Sequence, residues 1–180
     1  EQAAAAGLAR VRGDGLVVLL ADAPAESDAV TGAGGTNLGR VRDTDLQAVA
    51  NALWSVGAEA IAINGQRLTA TSTIRAAGGA ILVDFQPVLG PYEVSAIGPG
   101  RLASRFQDTD TFRLLRRLAE QYGMDVRVRS VEDLVLPAAG EPQLRYATPA
   151  PAPASGTPGP STTSRGPATG ASPTASGGDR

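Results

Sequence analysis

Apolar side chains recur with three different spacings along the first four-fifths of the chain, and each spacing predicts an element. LVVLLADA, residues 16–23, is an unbroken apolar run between Gly15 and Pro24, the pattern of a strand buried on both faces. TDLQAVANALWSVG places Leu46, Val49, Ala50 and Leu53 on one helical face; Asp43 or Thr44 stands where a cap is needed, and Gly57 can close the helix in the left-handed conformation. AEAIAI returns to a strand, with Ile61 and Ile63 on one side and small residues between them. GAILVDF (79–85) and YEVSAIG (92–98) read as two further strands, and the Pro87, Gly90 and Pro91 between them predict a hairpin or near-hairpin. Pro99 opens a short helix, PGRLASRFQ. A longer helix follows, carrying Phe112, Leu115, Leu118, Ala119 and Tyr122 on one side and ending at Gly123. MDVRVRSV then alternates strictly, and EDLVLPA adds a last short strand.

Two helix-bearing units flanking a central group of strands predict an α+β two-layer sandwich. The expected architecture is a ferredoxin-like split βαβ, with a mainly antiparallel sheet and helices on one face. The predicted globular domain covers residues 13–141. Residues 1–12, rich in helix formers, read as the end of an upstream helix or coiled-coil linker. Residues 142–180 are nearly all Pro, Ala, Ser, Thr and Gly, too poor in apolar surface to offset the entropy of ordering a backbone, and predict a disordered tail.

Composition narrows the chemistry. The chain has no Cys and no His, and all 16 of its basic residues are Arg. Without those side chains it lacks the usual zinc ligand sets, a Cys nucleophile, a Ser-His-Asp triad, a Schiff-base lysine and a P-loop lysine. A non-enzymatic protein without cofactor or metal is therefore expected. A formal charge of -2 gives no field that would draw nucleic acid. The paired carboxylates Asp43 with Asp45, Asp108 with Asp110 and Glu132 with Asp133 fall at helix starts or a strand entry, where capping and the helix dipole favour acids. GAGGTNLG, Gly32–Gly39, lies between a strand and a helix, but its third glycine is out of place for a dinucleotide fingerprint, which predicts a loop. Trp54, beside the apolar face of its helix, is expected to pack at the core or its edge.

The most distinctive stretch is AEAIAINGQRLTATSTIR, residues 58–75, where a buried strand turns abruptly polar. Asn64-Gly65 is a strong two-residue hairpin signal, and LTATSTIR can follow as an exposed strand with Leu68 and Ile74 beneath it. The residues expected to form a binding surface, for a partner protein or an anion, are Asn64, Gln66, Arg67, Ser72, Thr73 and Arg75. Gln66, Arg67 and Arg75 are expected to face solvent, while Ile61, Ile63 and Ile74 anchor the stretch. The alternative use of Arg67 and Arg75 is a clamp for a small carboxylate or phosphate in a regulatory domain.

DTDLQAVANALWSVGAEAIAINGQRLTATSTIR, GGAILVDFQPVLGPYEVSAIGPGRL and GMDVRVRSVEDLVLP together resemble the bacterial domain-of-unknown-function family 881, which includes members labelled division initiation proteins. The resemblance runs from Gly13 to Pro137 and is most specific at the family pattern NELWxAGAEAIxINGQRI. This chain departs from that pattern at Ala52, where Glu is usual. The resemblance implies an actinobacterial or Gram-positive, membrane-anchored protein with a transmembrane helix and coiled coil upstream of this domain. The domain would then lie on the extracytoplasmic side of the cell membrane. It implies envelope or division proteins as partners and self-association through the coiled coil; it carries no catalytic residues across.

Overall fold

The computed structural model describes Ala3, residues 6–24 and residues 39–140; the predicted tail and most of the glycine-rich loop at 32–39 lie outside the described residues. Strand β1 (Val11–Ala21) leads to helix α1 (Asp43–Ser55) and strand β2 (Ala60–Ile63). Four short strands come next: β3 (Gln66–Arg67), β4 (Ile74–Ala77), β5 (Ala80–Val83) and β6 (Gln86–Val88). Strand β7 (Tyr92–Ile97), helices α2 (Leu102–Gln107) and α3 (Asp110–Tyr122), and strand β8 (Asp125–Leu136) complete the order. All pairings are antiparallel. The main sheet runs β3-β2-β7-β1-β8, and β4-β5-β6 form a second sheet, so the fold is α+β with antiparallel sheets.

The helices form where local chemistry permits. The Asp45 carboxylate accepts a hydrogen bond from the Arg42 backbone N–H at 2.9 Å, closing the start of α1, and Gly57 takes a φ of +98 just beyond its end. In α3 the Thr109 hydroxyl accepts from the Phe112 N–H, and Gly123 supplies the left-handed cap. Leu46, Val49 and Leu53 of α1, Phe106 of α2 and Leu115 of α3 bury themselves with Leu16, Val18 and Leu20 from one side of β1 and with Ile61, Ile63 and Val94. Fully burying each such side chain contributes roughly 1.5–3 kcal/mol.

Four expectations are corrected. GAILVDF and YEVSAIG do not form a hairpin with each other: β5 pairs with β4 and β6, whereas β7 sits inside the main sheet. Tight turns are the cause, since Asp84 and Phe85 both adopt positive φ and fold β6 directly back on β5. LTATSTIR enters a strand only with its last two residues, at the start of β4; what precedes them is a loop held by side-chain hydrogen bonds. MDVRVRSV and EDLVLPA are one strand, β8, because Asp133 at φ 60 absorbs an extra residue opposite Gly13–Gly15 as a bulge. Lastly, the first strand begins at Val11, inside the segment read as upstream helix, because β8 offers a partner over its whole length.

The second face of the main sheet is covered by the chain's own backbone. Ala60, Ala62 and Ile97 pack there against Leu136, with Val11 and Leu134 beside them, so the far end of the β1–β8 ribbon turns back across the sheet. Gly15 makes this crossing possible: a Cβ there would lie 1.9 Å from the Ala96 carbonyl oxygen, and one at Gly13 would lie 3.0 Å from Ile97 Cγ2. The ribbon is fastened at its end. Arg67, opposite Ala62 at the sheet's other edge, directs Nη1 to the carbonyls of Ala9 at 3.3 Å and Pro137 at 3.1 Å. The Ala139 N–H adds a bond to the Gly7 carbonyl at 2.8 Å.

Three outcomes follow from this construction. Gly15→Ala should lower stability by about 3 kcal/mol in urea unfolding, near the top of the range for overpacking, because its neighbour is backbone and cannot swing away; Gly13→Ala, which meets a side chain, should cost less. Arg67→Ala should lower stability by roughly 3 kcal/mol by leaving carbonyls at the ribbon's end unpaired, and an unchanged denaturation midpoint would show that the latch carries no load. At the bulge, the exposed Arg12 guanidinium holds the Asp133 carboxyl below its ordinary pKa. A depressed folded pKa means that the stabilisation is present above the unfolded value and is lost as pH falls through the folded one. Asp133→Asn should therefore flatten the acid side of the stability–pH profile below about pH 4 and leave its neutral-to-alkaline shape unchanged.

Candidate functional site

The six predicted surface residues are not gathered into one site. Asn64, at φ 46, and Gly65, at φ 78, make the turn between β2 and β3. The Asn64 carboxamide is spent on its surroundings: Oδ1 accepts from the Glu93 N–H at 2.7 Å and Nδ2 donates to the Leu89 carbonyl at 2.9 Å, tying the turn to the segment around the cis Gly90–Pro91 bond. Gln66 is half-buried on the edge strand opposite Ile63. Ser72 accepts from the Thr69 N–H at 2.8 Å and donates to Asp84 Oδ2 at 2.6 Å; Thr73 donates its backbone N–H to Asp84 Oδ1 at 2.8 Å. One carboxylate at the β5–β6 turn thus fastens the loop that precedes β4.

The two arginines part company. Arg67 was expected to reach solvent and instead is buried, 4% exposed, with burial pulling its pKa below the ordinary arginine value. It stays protonated, and its charge serves the carbonyls at the ribbon's end. Arg75 is exposed on β4, with its guanidinium carbon 4.8 Å from the centroid of the Phe85 ring. Of the expected anchors, Ile61, Ile63 and Leu68 are buried and Ile74 is partly so.

Two features escaped sequence reasoning. The first is a pair of exposed apolar side chains at the two ends of β6, Phe85 at 69% and Leu89 at 71%. A Phe at a two-residue turn is its only trace in the sequence. The second is a groove of about 550 Å³ between α1 and the loop from Leu68 to Ile74. Gln47, Asn51 and Trp54, spaced i, i+4, i+7, line its helical wall, with Glu59 and Arg67 also at the groove. Trp54 is 40% exposed there, at the edge of the core, one of the two places expected for it. Gln47 reaches across to give Nε2 to the Ile74 carbonyl at 2.7 Å, and Asp43 Oδ2 accepts from the Ala76 N–H at 2.9 Å. These two bonds occupy backbone groups along β4, which would otherwise be open to strand addition.

Comparison with known proteins places this geometry in a lineage. The chain is similar to the UPF0749 protein Rv1823 of Mycobacterium tuberculosis (strain ATCC 25618 / H37Rv), at 40% identity over 147 residues, covering 79% of this chain and 48% of that protein. It is also similar to the UPF0749 protein YlxW of Bacillus subtilis (strain 168), at 38% identity over 90 residues, covering 49% of this chain and 36% of that protein. The chain spans about half the length, or less, of these relatives. Among solved structures, the crystal structure of an uncharacterized conserved protein from Mycobacterium tuberculosis superposes with a TM-score of 0.62 at 20% identity, over 83% of this chain and 96% of that one, a likeness of fold. The family described as bacterial protein of unknown function (DUF881) matches residues 1–148, and the chain belongs to that family.

Proposed function

We propose that this chain is a non-catalytic protein-contact domain of a membrane-anchored envelope protein, lying on the extracytoplasmic side and working with envelope or division proteins. The observation that carries the contact role is the exposed Phe85, 69% accessible, with the Arg75 guanidinium laid over its ring. Aromatic residues and arginine are the types enriched at interface hot spots, and leaving a Phe in water is unfavourable unless something covers it. The non-catalytic part of the reading rests on a chain without His, Cys or Lys. Membrane anchoring, envelope location and a division link rest on the family resemblance. The strand order β2-β7-β1-β8, with helical connections from β1 to β2 and from β7 to β8, supports a ferredoxin-like split βαβ into which β3–β6 are inserted.

The anion-clamp alternative needs Arg67 and Arg75 in one pocket. Arg67 lines the groove beside α1 and bonds to backbone carbonyls, while Arg75 stands over Phe85 on the small sheet, so this geometry favours the contact reading.

The test is crosslinking of the full-length protein in cells, comparing wild type with Phe85→Asp and Arg75→Ala. Both substitutions are at exposed positions and should shift stability by no more than about 0.5 kcal/mol. Crosslinked partners should fall sharply with Phe85→Asp and measurably with Arg75→Ala. Undiminished crosslinking in both would remove this surface from the proposal, and a cytoplasmic signal from a topology reporter fused to the C-terminus would overturn the location.

A further inference from the structure

The groove beside α1 carries groups that the fold does not use. Among the described residues, the Asn51 carboxamide, the Glu59 carboxylate and the Trp54 indole N–H make no side-chain hydrogen bond or ion pair. Their neighbours are engaged: Gln47 with the Ile74 carbonyl, Ser72 with Asp84, and Arg67 with the carbonyls of Ala9 and Pro137. The free groups therefore define what the groove can recognise. A half-exposed indole offers a flat apolar surface with a polar edge. Asn51 is a planar fork with both donors and acceptors, and Glu59 is a planar fork of acceptors. Alternating forks beside an aromatic plate suit a ligand with one apolar face and a rim of hydroxyls.

We infer that this groove is a saccharide-binding site for a neutral, extended chain of pyranose units, with Trp54 stacking on a ring and Asn51 and Glu59 bonding its hydroxyls. A sugar ring presents axial C–H groups on its face, which bury apolar area on Trp54, and paired hydroxyls at its rim, which match the two forks. The stripe Gln47, Asn51, Trp54 runs along α1 for roughly 10 Å at 1.5 Å per residue, long enough for two rings laid end to end. Charge sets the selectivity. Of the two charged residues at the groove, Arg67 is 4% exposed and directs Nη1 to the carbonyls of Ala9 and Pro137, whereas Glu59 is exposed without an ion-pair partner among the described residues, so a saccharide bearing carboxylates or phosphates meets repulsion at the groove's open side. An extended peptide fits less well, because the nearby backbone groups of β4 are already bonded to Gln47 and Asp43, leaving less for strand addition. The site is separate from the Phe85 surface, so each can fail without the other.

Trp54 is the only Trp in the chain, so its emission reports on this groove alone. The intact chain is titrated with chitotetraose, cellotetraose and an anionic oligogalacturonate. A saturable change in emission is expected with at least one neutral oligosaccharide and none with the anionic one. Asn51→Ala should weaken neutral binding about tenfold, the loss of one good hydrogen-bonding group. Glu59→Gln should weaken neutral binding several-fold, because one acceptor of the fork becomes a donor, and raise binding of the anionic oligomer; Trp54→Phe, followed calorimetrically, should weaken binding at least about tenfold. Thermal unfolding of each variant establishes that it is folded, and the two exposed positions Asn51 and Glu59 give independent readings if one variant misfolds. The inference is overturned if neither neutral oligosaccharide changes the emission of folded wild type up to millimolar concentration, or if the change persists undiminished in folded Asn51→Ala.

Discussion

The bond between the Arg67 guanidinium and the carbonyls of Ala9 and Pro137 joins parts of the chain about 60 and 70 residues away from it in sequence. That closure lies over the second face of the main sheet, where the β1–β8 ribbon, also tied by the Ala139–Gly7 backbone bond, covers Ala60, Ala62 and Ile97 with Leu136. A guanidinium suits the task because its planar fork directs several donors at once and remains charged when buried. Backbone carbonyls at the end of a ribbon have unspent lone pairs, and burying them without donors is costly. The latch and the ribbon's ends therefore satisfy one another.

Room for that closure is written in small residues. Arg67, Ala62, Ser95 and Val17 stand opposite one another across four neighbouring strands, and in the next row Ala60, Ile97 and Gly15 do the same. Ala at 60 and 62 and Gly at 13 and 15 let a second layer of backbone approach, where larger side chains would hold it off. The other face shows the opposite choice: Ile61, Ile63, Val94, Leu16 and Val18 fill the space under the helices. The alternation AIAI in β2 thus encodes two environments, a helix-packed face and a face crossed by chain.

The helices were legible because their signals are local. A cap, a 3.6-residue apolar period and a terminal glycine all lie within one short window; α3 forms where those signals stand, and α1 does so too except at its cap, where Asp45 bonds back to the Arg42 N–H and the expected Asp43 serves Ala76 instead. The Asn64-Gly65 turn was legible for the same reason. What remained hidden was non-local. AILV reads equally well as a partner for YEVSAI or for IRAA, and the choice rests on Asp84 and Phe85 both taking positive φ, a conformation Asp tolerates but Phe does not announce. The polar stretch raised a similar difficulty. It drew attention correctly, but most of its donors and acceptors proved to be fastenings: Asn64 to the Leu89–Glu93 segment, Ser72 and Thr73 to Asp84, Arg67 to the ribbon. One clue to Arg67's burial was available, since two residues beyond a two-residue turn places it opposite Ala62, on the small-residue face.

Spending those groups on structure determines where recognition can occur. A polar side chain already holding a loop cannot also bind a ligand without releasing the loop, so the dense polar cluster is the less available surface. The uncommitted groups lie just beyond it, Asn51, Trp54 and Glu59 on one side and Arg75 with Phe85 on the other. Both surfaces abut β4, and β4 is held to α1 through Asp43 and Gln47. The Asp84 carboxylate, at the turn beside Phe85, fixes the loop that forms the far wall of the groove. The internal fastenings therefore act on function indirectly, by fixing the frame on which both free surfaces are displayed.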